Sequence, residues 1–442
     1  MSRKFLNYWL FFWICGLLIN IKDKGEVFIF KFDSKIQNIA DEALEICKKE
    51  FDKIEKIKEY NQQKVLESFI RCGISESHFV ATTGYGYNDR GREKLDELFA
   101  DIFKTEDALV RHNFVSGTHA IATVLFGILR PNDKVLSVTG KLYDTLSDVI
   151  KSEPGMGSLS DYLVEFRYID FDKNEKAYFK SIENALSNED YKAVYIQRSR
   201  GYSLRDSLSI EKIGKIISLV KNINPEILVI VDNCYGEFAE KKEPTEVGAD
   251  VIVGSLIKNP GGGIAPTGGY IAGKKRIVDM CSYRLTAPGI GKEIGANLGV
   301  NKELFMGIFN APCAVGEALK TAIFAAALFE KMGYKVYPKY NEKRADIVES
   351  IVLEDSSALI GFCKGIQEGS AIDSFVSPEP WDMPGYEDKV IMAAGTFISG
   401  SSLELSADGP LKPPYVVWMQ GGTNFYAAKI GIMKAAEKIL NS

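Results

Sequence analysis

From Ala108 to Gly273 the chain alternates between short apolar runs and stretches of helical period, and that alternation constrains the fold more than any other feature. ALVRHNF, KVLSV, LVEFRYI, AVYIQRS, ILVIVD and DVIVGSL read as strands. Between them, Thr118 to Leu129, Tyr143 to Ile150, Glu175 to Leu186 and Ile210 to Val220 read as helices. Runs that are apolar throughout belong to strands covered on both faces, and the intervening helices supply the covers. The expectation is an α/β fold, with a mixed, mostly parallel sheet flanked by helices. TGGYIAG follows DVIVGSL with no crossover helix between them, which suits one antiparallel member.

The flanks read differently. Ile36, Ile39, Ala40, Ala43, Leu44 and Cys47 begin a helical pattern that runs from Ser34 to Arg71, an N-terminal arm or helix pair. Gly84 and Gly86 then predict a loop displaying Tyr85 and Tyr87, ahead of an amphipathic helix from Arg92 to Phe103. Pro312 to Met332 reads as a long apolar connector helix. It leads to a smaller C-terminal α+β domain with a helix over Asn341 to Val352, strands near Ala358 to Gly365 and Lys389 to Ala393, and a last helix to Leu440. The expected units are residues 1–26, an apolar extension; 27–75, the helical arm; 76–312, a large domain; and 313–442, the connector and C-terminal domain.

Composition removes several functions. A formal net charge of -5 leaves no electrostatic footprint for nucleic acid. The seven cysteines are scattered without a CxxC, and three histidines occur without an HExxH, so neither a disulfide framework nor a zinc site is expected. The apolar run from Phe5 to Ile21 behind Arg3 and Lys4 has three readings: a membrane anchor, an uncleaved signal, or sequence upstream of a start near Val27 to Phe32. The last is favoured, because the rest resembles a cytoplasmic enzyme with free thiols.

Three motifs carry chemistry, each at the carboxyl end of an expected strand, where open α/β sheets bind ligands. Ser116, Gly117 and Thr118 open a helix, whose first N–H groups and dipole suit a phosphate. Asp232 ends ILVIV, where a carboxylate needs a partner such as a protonated ring nitrogen. Lys258, in SLIKNPGGG, leaves a strand just before three glycines; desolvation there lowers a lysine's pKa and makes it a nucleophile. Taken singly, these are an ordinary N-cap, a capping aspartate and a solvated lysine. Together, in this order, they supply what pyridoxal 5'-phosphate requires of a protein: a Schiff-base lysine, a ring-nitrogen carboxylate and a phosphate turn. Tyr143, in GKLYDTL, is positioned to stack on the cofactor and to exchange a proton with a leaving group.

GYGYNDRGREKLDELFA, SGTHAI, VDNCYGEF, GSLIKNPGGGIAPTGGYIAG and ELSADGP with the following PPY and QGG resemble the aspartate-aminotransferase-like (type I) fold of pyridoxal phosphate enzymes. Within it, they look like the methionine gamma-lyase/cystathionine beta-lyase-like family often labelled aluminium resistance protein. The resemblance runs from about Phe32 to the C-terminus. It implies that Lys258 carries the cofactor, Asp232 contacts the pyridine nitrogen, and Gly117 and Thr118, with Ser255, hold the phosphate. It further implies that Tyr143 covers the ring, and that Tyr87 with Arg92 or Arg90 reaches the phosphate of a neighbouring subunit in a homodimer or homotetramer. Lys412 stands where the family tends to carry a substrate-binding arginine, and lysine lacks that residue's bidentate grip. The implied activity is carbon–sulfur bond elimination from a sulfur-containing amino acid. An aminotransferase, or a non-catalytic cofactor-binding stress-response protein, remains the alternative.

Overall fold

The computed structural model describes residues 30–85, 89–383 and 386–441. Tyr87 and the apolar run from Phe5 to Ile21 lie outside the described residues. The described residues open with one 38-residue helix, α1 (Ser34–Arg71), capped by Asp33, whose carboxylate accepts from Lys35 N. It is a single helix, not a pair. Then follow α2 (Arg90–Ile102), β1 (Asp107–Arg111), α3 (Gly117–Ile128), β2 (Lys134–Ser137) and α4 (Asp144–Ile150). The alternation continues through β3 (Glu165–Tyr168), α5 (Glu175–Asn188), β4 (Ala193–Gln197), α6 (Ile210–Ile223), β5 (Leu228–Asp232) and β6 (Val251–Ser255). β7 (Gly269–Gly273) and α7 (Lys275–Leu285) close this part.

These strands form one sheet in the order β1-β7-β6-β5-β4-β2-β3. β7 runs antiparallel to β1 and β6, while the other pairs are parallel. Reversing only β7 leaves the carboxyl ends of β1, β2, β4, β5 and β6 along one edge. β4, β6 and β7 are buried at every position, which accounts for sequences that are apolar or small but for Gln197, at the end of β4. This is the aspartate-aminotransferase-like type I fold, mostly parallel and flanked by helices.

α8 (Asn301–Lys331) packs lengthwise against α1, and Cys47 on α1 points its thiol at the Ile323 carbonyl, 3.7 Å away. It starts at Asn301, not at Pro312. Leu304, Phe305, Ile308, Ala311 and Val315 form one buried stripe across the proline, whose burial outweighs the roughly 3 kcal/mol cost of a proline in a helix. α8 is long and apolar enough to cross a bilayer, yet it is buried inside the fold on nearly all sides.

The second sheet is antiparallel, in the order β10-β11-β12-β9-β8. Its members are β8 (Lys335–Tyr337), β9 (Val348–Val352), β10 (Val390–Ala393), β11 (Ser406–Pro410) and β12 (Val416–Gln420), with α9 (Ser356–Glu368) packed on it and α10 (Phe425–Leu440) packed on α9. Two expectations are reversed here. The helix expected over Asn341 to Val352 ends in a strand, β9, and the strand expected near Ala358 to Gly365 is the helix α9. Ala358, Leu359, Phe362, Cys363 and Ile366 lie on one buried helical face, and the Asp355 carboxylate caps Ala358 N at 2.9 Å.

Candidate active site

The aligned strand ends open into a cavity of about 680 Å³. Its floor and walls include Ser116, Gly117, Thr118, Tyr143, Asp232, Ser255 and Lys258, so seven of the expected site residues converge.

The turn after β1 begins with Ser116 in extended backbone; its hydroxyl accepts from His119 N at 3.1 Å and starts α3. Gly117 is the first helical residue. A Cβ there would sit 3.3 Å from Ser255 Cβ and 3.7 Å from the Cys234 thiol, so a side chain would crowd the crevice between α3 and β6. The Thr118 hydroxyl lies 3.2 Å from the Tyr143 hydroxyl and 3.3 Å from that of Thr145. Exposed N–H groups, small residues and hydroxyls around a helix N-terminus match the requirements of a phosphate.

Asp232 ends β5 and is 3% exposed. Its carboxylate accepts from Cys234 N at 3.1 Å and from the Tyr195 hydroxyl at 3.4 Å. Burial raises its pKa, and the Lys258 ammonium opposes that rise. Lys258 ends the turn after β6, with Nζ 4.0 Å from the centre of the Tyr235 ring. The next residues form a single 3-10 turn, Asn259–Gly261. A Cβ at Gly261 would fall 1.6 Å from the Leu256 carbonyl oxygen, so only glycine closes that turn. The Asn259 amide donates to the Glu237 carbonyl at 2.9 Å and ties the lysine loop to the segment after Asp232.

The lysine does not have the lowered pKa expected from desolvation. Burial does pull it down, but the facing Cys234, Tyr235, Asp232 and Tyr143 side chains carry it well above the usual lysine value. Tyr143 is likewise raised by burial, reinforced by Asp232 and opposed by Lys258. The donor set fits pyridoxal phosphate: a buried carboxylate, a primary amine and a glycine-lined helix N-terminus face one cavity.

Two expected residues do not line this cavity, as the expectation of a neighbouring subunit's phosphate for Arg92 already required. Arg92 is 4% exposed and turned inward, donating to the carbonyls of Gly84 at 3.0 Å and Glu293 at 2.6 Å. It buckles the Gly84 loop to the segment before α8 and does not line the cavity; Arg90, beside it, is exposed. Lys412 is exposed in the turn after β11, paired with Asp388 at 2.8 Å, and also lies outside the cavity lining.

Sequence reasoning missed several lining residues. Arg200, Tyr202 and Arg205 follow β4 at the same edge as Asp232, so the strand-end rule that singled out Asp232 also pointed to them. Burial holds Arg205 down to about 10, and its guanidinium donates to the Gln197 carbonyl at 2.8 Å. Arg200 donates to the Tyr337 carbonyl at 2.7 Å. Tyr386 and Asp408 arrive from the second sheet's side, and no local pattern marks them.

Comparison with known proteins agrees with this geometry. A carbon–sulfur lyase involved in aluminum resistance from Clostridium novyi NT superposes with a TM-score of 0.89 at 50% identity, covering 92% of this chain and 96% of that one. The uncharacterized protein YnbB of Bacillus subtilis (strain 168) is 48% identical over 389 residues, 88% of this chain and 92% of its own length. The pyridoxal-5'-phosphate dependent protein YhfS from Escherichia coli, 16% identical with a TM-score of 0.58, covers 88% of this chain and 97% of its own; it shares the fold. The model of the methionine gamma-lyase family matches residues 36–440, and with nearly the whole fold inside that match the chain belongs to this family.

Proposed function

We propose that the protein is a pyridoxal-phosphate-dependent carbon–sulfur lyase acting on a sulfur-containing amino acid. The observation that carries this reading is the convergence of Lys258, Asp232 and the α3 N-terminus on one cavity. Gly117, Thr118 and Ser255 would hold the cofactor's phosphate, Asp232 its ring nitrogen, and Lys258 its aldehyde carbon. Bound there, the cofactor supplies an electron sink for the pair left when a Cα proton is removed.

The chain's own groups do the rest. Lys258 Nζ would be the base that takes the Cα proton. The facing Cys234, Tyr235, Asp232 and Tyr143 side chains hold its pKa up at the outset, and a positive charge on a ligand beside Asp232 would lower it by competing for that carboxylate. Tyr143, whose hydroxyl is held by Thr118, keeps its proton because burial disfavours the phenolate; that proton is available to a departing thiolate. Arg200 and Arg205 are the guanidinium groups that the cavity wall offers to a substrate carboxylate.

The test is the absorbance spectrum of protein purified with pyridoxal phosphate, followed by addition of L-methionine, L-cystathionine and L-cysteine. The expected result is a visible band that shifts with one of them while thiol and keto acid appear. Amino-group exchange without thiol would identify an aminotransferase instead, and a protein that never acquires the band would reject the assignment.

A further inference from the structure

Among the described lining residues, the second sheet's side contributes one charged group, Asp408 on β11, and the lyase chemistry gives it no task. Its Oδ2 accepts from the hydroxyl of Tyr202. The Tyr202 ring packs against Trp418, 4.9 Å between centroids, and against Tyr386, 5.8 Å, so two aromatic neighbours hold the pair. The other oxygen, Oδ1, is enclosed with no hydrogen-bond donor among the described residues. Burial pushes the carboxyl up to about 6, against the pull of the Tyr202 hydroxyl and the Gln420 side-chain amide, so the anion predominates at neutral pH. No ion pair to it is found among the described residues.

An anion held in that setting is costly until a cation joins it. A carboxylate has about four acceptor positions; the Tyr202 hydroxyl takes one and the Gln420 side-chain amide lies close enough to take a second. Of the other charges on the wall, Lys141 and Asp170 are exposed to water, and the rest are matched to the cofactor and to an amino-acid substrate. Its α-amino group belongs at Lys258, and its α-carboxylate at the guanidinium groups of Arg200 and Arg205. What remains for Asp408 is a second ammonium.

We propose that Asp408, held by Tyr202, reads an ammonium group on the part of the substrate that leaves as thiol, so that thioether amino acids with a cationic tail are preferred over those with an alkyl tail. This rests on the lyase reading. A methyl or propyl tail would desolvate the carboxylate without pairing it, and sites built to pair a polar group reject analogues that lack it.

S-(2-aminoethyl)-L-cysteine and S-propyl-L-cysteine differ only by an ammonium in place of a methyl, and the matching homocysteine thioethers give the same pair for elimination one carbon further out. With the cofactor-loaded full chain, the ammonium compound should be favoured by at least about tenfold in KM, with kcat similar for both. Asp408→Asn should reduce that ratio to near one through loss on the ammonium compound alone, with the cofactor band unchanged. A wild-type ratio near one would overturn the proposal, whatever the variant does. So would a ratio that survives in Asp408→Asn, or equal losses on both compounds. Calorimetric titration separates the two readings. A tenfold affinity ratio that Asp408→Asn abolishes, with no thiol ever released, would keep the reader and reject the lyase. Equal affinities would reject the reader even in an active lyase.

Discussion

Two cavities of about 680 Å³ each indent this molecule, and they differ in everything except volume. The first lies at the strand ends, where Lys258, Asp232, Asp408 and two arginines converge from separate elements. The second lies between α1, α6 and the segment Asn341 to Arg344, over a floor of Ile54, Ile57, Ile210 and Ile323. Around the second, charges answer one another on the protein itself: Lys53 with Glu50 at 2.7 Å, Lys343 with Glu240 at 2.8 Å, and Arg344 with Glu349 at 2.6 Å. Volume alone does not make a site. What distinguishes the first cavity is polar groups that the fold brings together and leaves facing the ligand space.

The largest effect that would break this contrast is at Lys258. Lys258→Ala should abolish the cofactor's visible band and lower thiol release by roughly 10²–10⁴-fold or more, read by absorbance and a thiol assay. A band that survives would make the first cavity no more special than the second. Asp232→Asn comes next: an isosteric change that removes the charge beside the lysine should cost roughly 10²–10³-fold in kcat, with far-ultraviolet circular dichroism unchanged.

In the second cavity the effect should be on stability alone. Ile323→Ala removes buried apolar volume and should cost about 2–4 kcal/mol in chemical denaturation, while kcat of the folded protein stays the same. Lys343→Ala, at its rim, should move stability by less than about 0.5 kcal/mol, because exposed ion pairs contribute little. A fall in turnover from either variant would mean that the second cavity participates in function.

A pH-dependent effect lies between these. Glu237 follows Asp232 on the same segment, bonded to the Tyr270 hydroxyl at 2.8 Å, and burial pushes its carboxyl up to about 8. The folded state therefore keeps this proton at pH values where the unfolded chain has lost it. Its contribution is full below the unfolded carboxylate pKa of about 4.3 and is lost as pH rises to about 8. Glu237→Gln should flatten that decline, by at most about 1.4 kcal/mol per pH unit. Denaturation midpoints at pH 5, 6.5 and 8 would check it, and a variant whose decline parallels wild type would show that the carboxyl titrates normally.

Much of the large sheet was legible because its signals are local. A strand buried on both faces must be apolar at every position, and ILVIV and VIVG say so without reference to any neighbour. Asp232 and Lys258 were legible for the same reason, since a charged residue ending such a run stands out against it. The second sheet was harder. β9 reads VESIV, and its Glu349 is buried because Arg344 pairs with it, a contact made within the folded loop that no strand pattern announces. α9 did carry a helical spacing and an Asp355 cap, so there the signal was present and misread.

By itself, then, the sequence determined the alternation of strand and helix, the single reversed strand, and the lysine, aspartate and small-residue turn at the strand ends. Only the tertiary structure decided where the other charges go. It turned Arg92 inward onto backbone carbonyls, put Lys412 in a solvent-facing turn, and brought Asp408 against Tyr202 from 206 residues away in the chain. The reason is range. Periodicity and caps act over a few neighbouring residues, whereas the pairing of buried charges is fixed only when distant segments exclude water together.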